Sequence, residues 1–321
     1  LLHALLTAGT LPDPAGGDAP ISEIVLADLR PARPSAHGTT ARITVETGDA
    51  GDVAFLGRIF GGEGFDSIFH LAATLTGKAE TDIAHGLSVN LGGLLALLEC
   101  CRAQARPPRL VFASSIAAFG GTLPPVVEDD TPRMPQTSYG THKVVAELLL
   151  ADHARHGLVD ARALRLPIVL IRPGAPDPAV SDRVAAILRE PLMGRDLACP
   201  LQPDTALPVA SALRVARALR SVHGLPVGAF GPRRAMNMPA LTVRVREMVV
   251  ALERFAGQRR LGRVTWAPDP VLQAVVDGWP RRFRSAAAAR HGITADPDIG
   301  AIIDGFLNDP TRTSTDHPYH A

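Results

Sequence analysis

The chain has 321 residues, enough for one large α/β domain or two modest ones, and 46% hydrophobic against 20% charged residues excludes general disorder. Lys and Arg number 33 against 32 Asp and Glu, a net charge of +1, which suggests neither a nucleic-acid footprint nor an acidic partner. Three cysteines, with Cys100 and Cys101 adjacent, exclude a disulfide framework and suit a reducing cytoplasm, and no apolar run approaches the roughly 18 residues that span a bilayer.

The first residues, Leu1 to Leu6, carry no Met, charged leader or small-residue cleavage site, so they are not read as a signal peptide. They read as the second half of an amphipathic helix that turns at Gly9 to Pro12. Short β-branched runs then alternate with helical runs, the pattern of parallel βαβ units. Strands are expected at 21–28 (ISEIVLAD), 41–47 (ARITVET), 67–73 (SIFHLAA), 109–115 (RLVFASS) and 161–171 (ARALRLPIVLI). Helices are expected at 52–59, 79–106 and 139–156. Pro167 removes a ladder donor from the last strand and marks an edge, a bulge or a place that receives something other than a strand. Beyond about residue 174 Pro and Gly become frequent around the helices 181–189 and 243–255, and 311–321 reads as a frayed tail. The expected fold is α/β: a doubly wound parallel sheet over 1–174, a small substrate lobe mainly over 175–310 with some return to the sheet, and the tail.

In such a sheet ligands sit at the carboxyl ends of the strands, near the switch point. Asp28 ends a strand where an acid would accept both ribose hydroxyls of NAD and repel a 2′-phosphate; it also suits a plain turn cap, and Arg30 argues weakly for NADP. Gly48-Asp49 could meet the adenine or be ordinary turn chemistry. Leu71-Ala72-Ala73 leaves room for a flat or phosphorylated ligand, or for tight helix–strand packing. No Gly-x-x-Gly-x-x-Gly joins a first strand to a first helix, and Gly16-Gly17 follows the first helix instead. The expectation is that the first strand and its phosphate loop precede Leu1.

Tyr139 and Lys143 stand at i and i+4, on one helical face. A phenol with a reference pKa near 10 is a poor base at neutral pH, and an ammonium one turn away lowers that value. The pair could then take a hydroxyl proton while hydride leaves the same carbon. Y-x-x-x-K is common by chance, so the context decides. Upstream a strand ends in Ser114-Ser115, where a hydroxyl could bond the reacting oxygen, and Asn90 is a further polar candidate, or a tolerated residue on a solvated face. His142 points to another side of the helix and is expected to be solvent-exposed. The scattered histidines show no metal-ligand spacing, so no metal is expected.

Taken together, LADLRP (26–31), GD (48–49), HLAA (70–73), VN (89–90), FASSIAAFG (112–120), YGTHK (139–143) and RLPIVLIRPG (165–174) resemble an extended short-chain dehydrogenase/reductase of the NAD-dependent epimerase/dehydratase kind. The resemblance spans nearly the whole chain. It implies that Tyr139 is the general acid/base, that Lys143 tunes it and holds the nicotinamide ribose, and that Ser115, with Ser114 as second choice, polarises the substrate oxygen. Asn90 would support a proton-relay water, Leu71 to Thr74 would line the cofactor, and Pro167 and Ile168 would face the carboxamide. Residues 171–194 and 199–205 resemble the substrate loop of D-erythronate dehydrogenase-like members, which implies a small sugar acid as substrate. Arg172, Ser181 and Arg183 are the candidates for its carboxylate, ahead of Arg281 and Arg282.

The resulting expectation is a cytoplasmic, NAD-dependent oxidation of a secondary hydroxyl. A nucleotide-sugar epimerase and a non-catalytic NAD-binding regulator are the alternatives. No nucleic acid or membrane partner is expected. The resemblance also implies a homodimer through the two long helices, about 80–105 and 139–156.

Overall fold

The computed structural model describes residues 1–13, 17–31, 40–62, 64–171, 179–257 and 260–309. The candidate Arg172, Gly16 and the tail 311–321 lie outside the described residues. The described chain forms two compact units. The first holds Leu1–Ala118, Thr137–Arg165 and Ala216–Met236; the second holds Phe119–Gln136, Leu166–Val215 and the described residues from Asn237 onward. The chain therefore passes back and forth between units.

The first unit opens with α1 (Leu2–Ala8), closed by Gly9 at φ 68°, and a small antiparallel pair, β1 (Thr10–Pro12) with β2 (Asp18–Pro20), that the sequence reading does not contain. Strands β3 (Glu23–Asp28) and β4 (Arg42–Thr47) pair in parallel, Asp28 opposite Thr47. Helix α2 (Val53–Phe60) starts at Asp52, whose carboxylate accepts the Ala54 N–H. Strand β5 (Ser67–His70) pairs in parallel with β6 (Arg109–Ser115), and β7 (Asp160–Leu166) and β11 (Ala235–Asn237) complete a four-stranded sheet of order β11-β7-β6-β5. Residues 110–114 of β6 are all buried, as suits a central strand covered on both faces.

The single helix expected over 79–106 is broken into α3 (Thr76–Thr81), α4 (Ile83–Leu87), a π turn (Ser88–Gly92) and α5 (Gly93–Ala103). Asp82 restarts the helix by accepting the His85 N–H. At Gly93 a Cβ would come within 2.9 Å of the Ala50 carbonyl, so only glycine lets the turn after β4 approach the helix. Residues 83–103 are in fact long and apolar enough to cross a membrane, which corrects the count of apolar runs. Much of that apolarity is used in the core: Leu94, Leu97, Leu98 and Cys101 pack with Leu110, Phe112, Ala146 and Leu150.

Helix α6 (Ser138–Arg155) is started by Thr137, whose hydroxyl accepts the Gly140 N–H at 3.1 Å. The strand expected over 161–171 splits at Pro167. Strand β7 stays in the four-stranded sheet, while β8 (Ile168–Leu170) joins a sheet of order β12-β10-β8 in the second unit. The missing proline donor ends one ladder where the next begins. Within that second unit, β10 (Ala206–Ser211) pairs in parallel with β8 and antiparallel with β12 (Leu241–Arg244). A separate parallel pair joins β9 (Leu197–Cys199) and β13 (Val264–Trp266). Around them lie α7 (Val180–Leu192), α9 (Val245–Leu252), α10 (Pro270–Asp277), α11 (Ala286–Arg290) and α12 (Ile299–Leu307). Helix α8 (Ala212–Gly224) starts in the second unit and ends in the first.

At the start of β6 the first unit carries a buried charge cluster. Asp160 accepts from Arg109 (3.1 Å), from Arg162 (2.7 Å) and from Arg234. Arg162 also donates to the carbonyls of Val222 (3.0 Å), Leu225 (2.6 Å) and His223, closing the C-terminal end of α8. Burial pushes the Asp160 carboxyl up, but Arg162, Arg109 and Arg234 outweigh it and hold the group below its usual range.

Candidate active site

At the other end of β6, helix α6 places Tyr139, Lys143 and Glu147 one turn apart on one face. Tyr139 is half-buried; Lys143 and Glu147 are buried. The Lys143 Nζ donates to the Ala113 carbonyl at 2.8 Å, lies 4.4 Å from the Phe112 ring centre and 5.5 Å from that of Tyr139. Burial pushes its ammonium down to about 7, against the attraction of Glu147. A lysine in that range changes charge near neutrality, which is where a group coupled to a proton transfer is useful. His70, at the end of β5, stacks on Phe112 at 5.7 Å; desolvation and then Lys143 push its imidazole down to about 3, so it stays neutral.

The two serines at the end of β6 do different things. Ser114 is buried and donates to Glu147 Oε1 at 2.5 Å. Glu147 in turn accepts from Arg165 through Nε (2.9 Å) and a terminal nitrogen (2.8 Å), with both side chains fully buried. Ser114 thus joins an internal ion pair. Ser115 is half-buried, and its Oγ accepts the Ala117 N–H at 3.1 Å, shaping the turn into residues 116–118.

Asn90 sits in the π turn, where local widening of a helix is often found at functional positions. It is buried, not on a solvated face. Its Oδ1 accepts the Thr74 N–H at 2.8 Å, and its Nδ2 donates to the Thr74 carbonyl at 2.9 Å and to His142 Nδ1 at 3.2 Å. His142 is 3% exposed, which corrects the expectation of a solvent-facing ring. Helices α3 and α4 and the π turn cover that side of α6, and helical spacing alone could not reveal the cover.

At the carboxyl ends of the parallel strands, Asp28 is exposed and its Oδ1 accepts the Arg30 N–H at 2.9 Å. Asp49 is exposed too and accepts the Gly51 N–H at 2.8 Å. A Cβ at Gly48 would fall 2.3 Å from the Phe55 ring, so the turn before Asp49 must be glycine. Leu71 and Ala72 are exposed, Ala73 and Thr74 half-buried. Small residues and carboxylates at these strand ends fit the adenosine half of a dinucleotide. The first unit therefore holds Tyr139, Lys143, Ser115, Asn90 and Thr74 on α6, β6, the π turn and the segment after β5. Pro167 and Ile168 are buried in the second unit. On α7, Ser181 is half-buried and Arg183 donates to Asp269 at 2.8 Å; Arg281 and Arg282 are exposed.

The sequence matches the NAD dependent epimerase/dehydratase family over residues 19–202. The chain belongs to this family. NAD is its cofactor, and it is an NAD-dependent oxidoreductase. This family member is 41% identical over 271 residues to the D-erythronate dehydrogenase of Cupriavidus necator, across 84% of this chain and 83% of that protein. It is 35% identical over 244 residues to the D-erythronate dehydrogenase of Haemophilus influenzae, across 75% and 77%. Among solved structures, a nucleoside-diphosphate-sugar epimerase from Agrobacterium tumefaciens aligns with TM-score 0.86 and 32% identity, covering 96% of this chain and 90% of that one.

Two features of this family site escape the sequence reading. The Ser114–Glu147–Arg165 network was signalled by Glu147 four residues beyond Lys143 and by Arg165 inside an apolar strand. The Asn90–His142 bond had no local signal, because the partners are 52 residues apart.

Proposed function

We propose that the protein oxidises a secondary hydroxyl of a small sugar acid of the D-erythronate type, with NAD as hydride acceptor. The observation that carries the reading is Lys143, buried one helical turn beyond Tyr139 with its ammonium pushed to about 7. The likeness to two D-erythronate dehydrogenases supports the substrate class.

NAD, when bound, supplies the acceptor for the hydride. The Tyr139 phenolate takes the proton of the substrate hydroxyl at its own oxygen. Lys143 stabilises that phenolate, and the phenolate in return favours the charged lysine, since each ion lowers the free energy of the other. Ser115 donates a hydrogen bond to the reacting oxygen. Ser114 holds Glu147, so that the strand end and the helix keep their register. Asp28 receives the adenosine ribose, Asp49 the adenine, Leu71 to Thr74 the backbone side of the cofactor, and Pro167 and Ile168 the carboxamide. Ser181 and Arg183 remain the proposed carboxylate contacts; Arg183 would exchange Asp269 for the substrate. A homodimer through α5 and α6 fits the exposure of Leu95 and Leu148 in mid-helix.

The test is purified protein given NAD and a panel of four- to six-carbon sugar acids, with NADH absorbance as the readout. Formation of NADH with one of them is expected, and none with any would overturn the substrate class. The epimerase found among solved structures motivates a second arm: sugar stereoisomers interconverted without NADH release would establish the other chemistry.

A further inference from the structure

We propose that His142 is a positioning residue for the cofactor side of this site, fixing the Asn90 amide and, through it, the backbone of Thr74. The proposal rests on the NAD reading above and extends it to a residue that touches neither cofactor nor substrate.

A primary amide offers an acceptor oxygen and two N–H donors. In Asn90 all three groups are engaged: Oδ1 takes the Thr74 N–H, one Nδ2 hydrogen goes to the Thr74 carbonyl, and the other goes to His142 Nδ1. The side chain thus pairs with Thr74 as a neighbouring strand would, just past the end of β5. The opposite amide orientation would set its NH2 against the Thr74 N–H and its oxygen against the Nδ1 lone pair. Its oxygen would also face the Thr74 carbonyl, so all three contacts would become repulsive, and the acceptor at His142 reinforces the orientation that the Thr74 backbone selects.

The surroundings keep that acceptor available. Burial is the largest influence pushing the His142 imidazole below its ordinary value; Lys143 adds to it and Glu80 opposes it. The ring is therefore neutral at neutral pH, and the Nδ2 donor of Asn90 favours the tautomer whose Nδ1 is the acceptor. A Cβ at Gly86 would come 3.2 Å from the His142 Cε1, so the ring is confined by α4. The Thr74 hydroxyl also lies 3.1 Å from His85 Nε2, so Thr74 is held through its side chain as well as its backbone. Leu71 and Ala72, the exposed residues of this strand end, lie three and two positions before it.

The test compares His142→Leu with His142→Asn. The asparagine Oδ1 stands two bonds from Cβ, as Nδ1 does, so it preserves an acceptor while the leucine removes it. Amide exchange at Thr74 is measured against the amides of β6, and the NAD dissociation constant is measured without substrate, beside kcat at saturating NAD. His142→Leu should speed Thr74 exchange and weaken NAD by about tenfold, the effect of one hydrogen bond, with β6 amides unchanged. His142→Asn should keep both within about twofold of the parent, because the acceptor is retained. Equal damage from Asn and Leu, faster exchange throughout β6, or unchanged Thr74 exchange in the Leu variant would each overturn the proposal. Absence of NAD binding by the parent would sink the cofactor reading alone, and Thr74 exchange would still decide whether His142 holds the clamp.

Discussion

Strand β6 begins and ends on buried charge, and its two ends treat that charge in opposite ways. At Arg109 the cations are hydrogen-bonded: Asp160 meets three guanidiniums, and backbone carbonyls take up further donors of Arg162. At Lys143 the ammonium has one carbonyl and two aromatic faces, and its nearest full negative charge, Glu147, is already engaged by Arg165 and Ser114. The first arrangement ties strands and a helix together. The second leaves a cation poorly solvated, which costs stability and makes its proton easy to move. Buried charge serves the fold where its donors are engaged by a carboxylate and carbonyls, and chemistry where they are not.

The largest effect expected from breaking this contrast is at the phenol. Tyr139→Phe should lower kcat by about 10³ or more while NAD affinity stays nearly the same, as for loss of a general base. Steady-state kinetics and a binding titration check both halves. Next comes the matched end. Asp160→Ala leaves three arginines facing each other, and should cost roughly 3–5 kcal/mol in urea unfolding, the range for removing one partner of a buried pair. The depressed Asp160 pKa fixes the sign with pH: its contribution is present above the ordinary value of 3.8 and fades as pH falls below it.

Lys143→Met separates function from stability at the other end. Turnover should be lost, yet the fold should gain. The native ammonium is pushed from 10.5 to about 7, so below pH 7 the folded protein carries a charge that the unfolded chain carries more cheaply. Between these two values the unfolded state binds the extra proton, and native stability rises with pH. The variant should therefore be more stable than the parent at pH 6 by about a few kcal/mol and unfold at a higher temperature, with the gain shrinking towards pH 10. A variant less stable than the parent at pH 6 would show that Lys143 is a matched charge after all.

Much of this was legible in the sequence, for reasons that differ by residue. Strand β6 and helix α6 were readable because continuous burial and helical spacing are local patterns. Pro167 marked a discontinuity whose nature, a strand passing from one sheet to another, needs partners from distant segments. The break of 79–106 into four pieces was hidden, since an apolar helix pattern continues through a π turn without interruption. His142 was misplaced for a related reason: its offset from the Tyr139–Lys143 face does not say what covers it, and α3, α4 and Asn90 come from distant segments. The Asp160 cluster draws on β6, β7, the end of α8 and the turn before β11, and no single window contains it.

The smallest effect expected is also the one that distinguishes adjacent residues. Ser114 and Ser115 end the same strand, and the sequence offers no basis beyond resemblance for preferring one. Their environments differ: Ser114 donates inward to Glu147, and Ser115 is half-buried with an oxygen that accepts from the next turn. Removing the Ser114 hydroxyl leaves Glu147 with Arg165, a bidentate partner, so Ser114→Ala should cost about 1 kcal/mol of stability and alter kcat by no more than about threefold. Removing the Ser115 hydroxyl deletes a donor to the reacting oxygen, and Ser115→Ala should lower kcat by about tenfold to a hundredfold with stability nearly unchanged. The pair is read by kcat against unfolding midpoint in the same preparations. A kcat loss confined to Ser114→Ala would exchange the two assignments and move the reacting oxygen to the buried side of the strand.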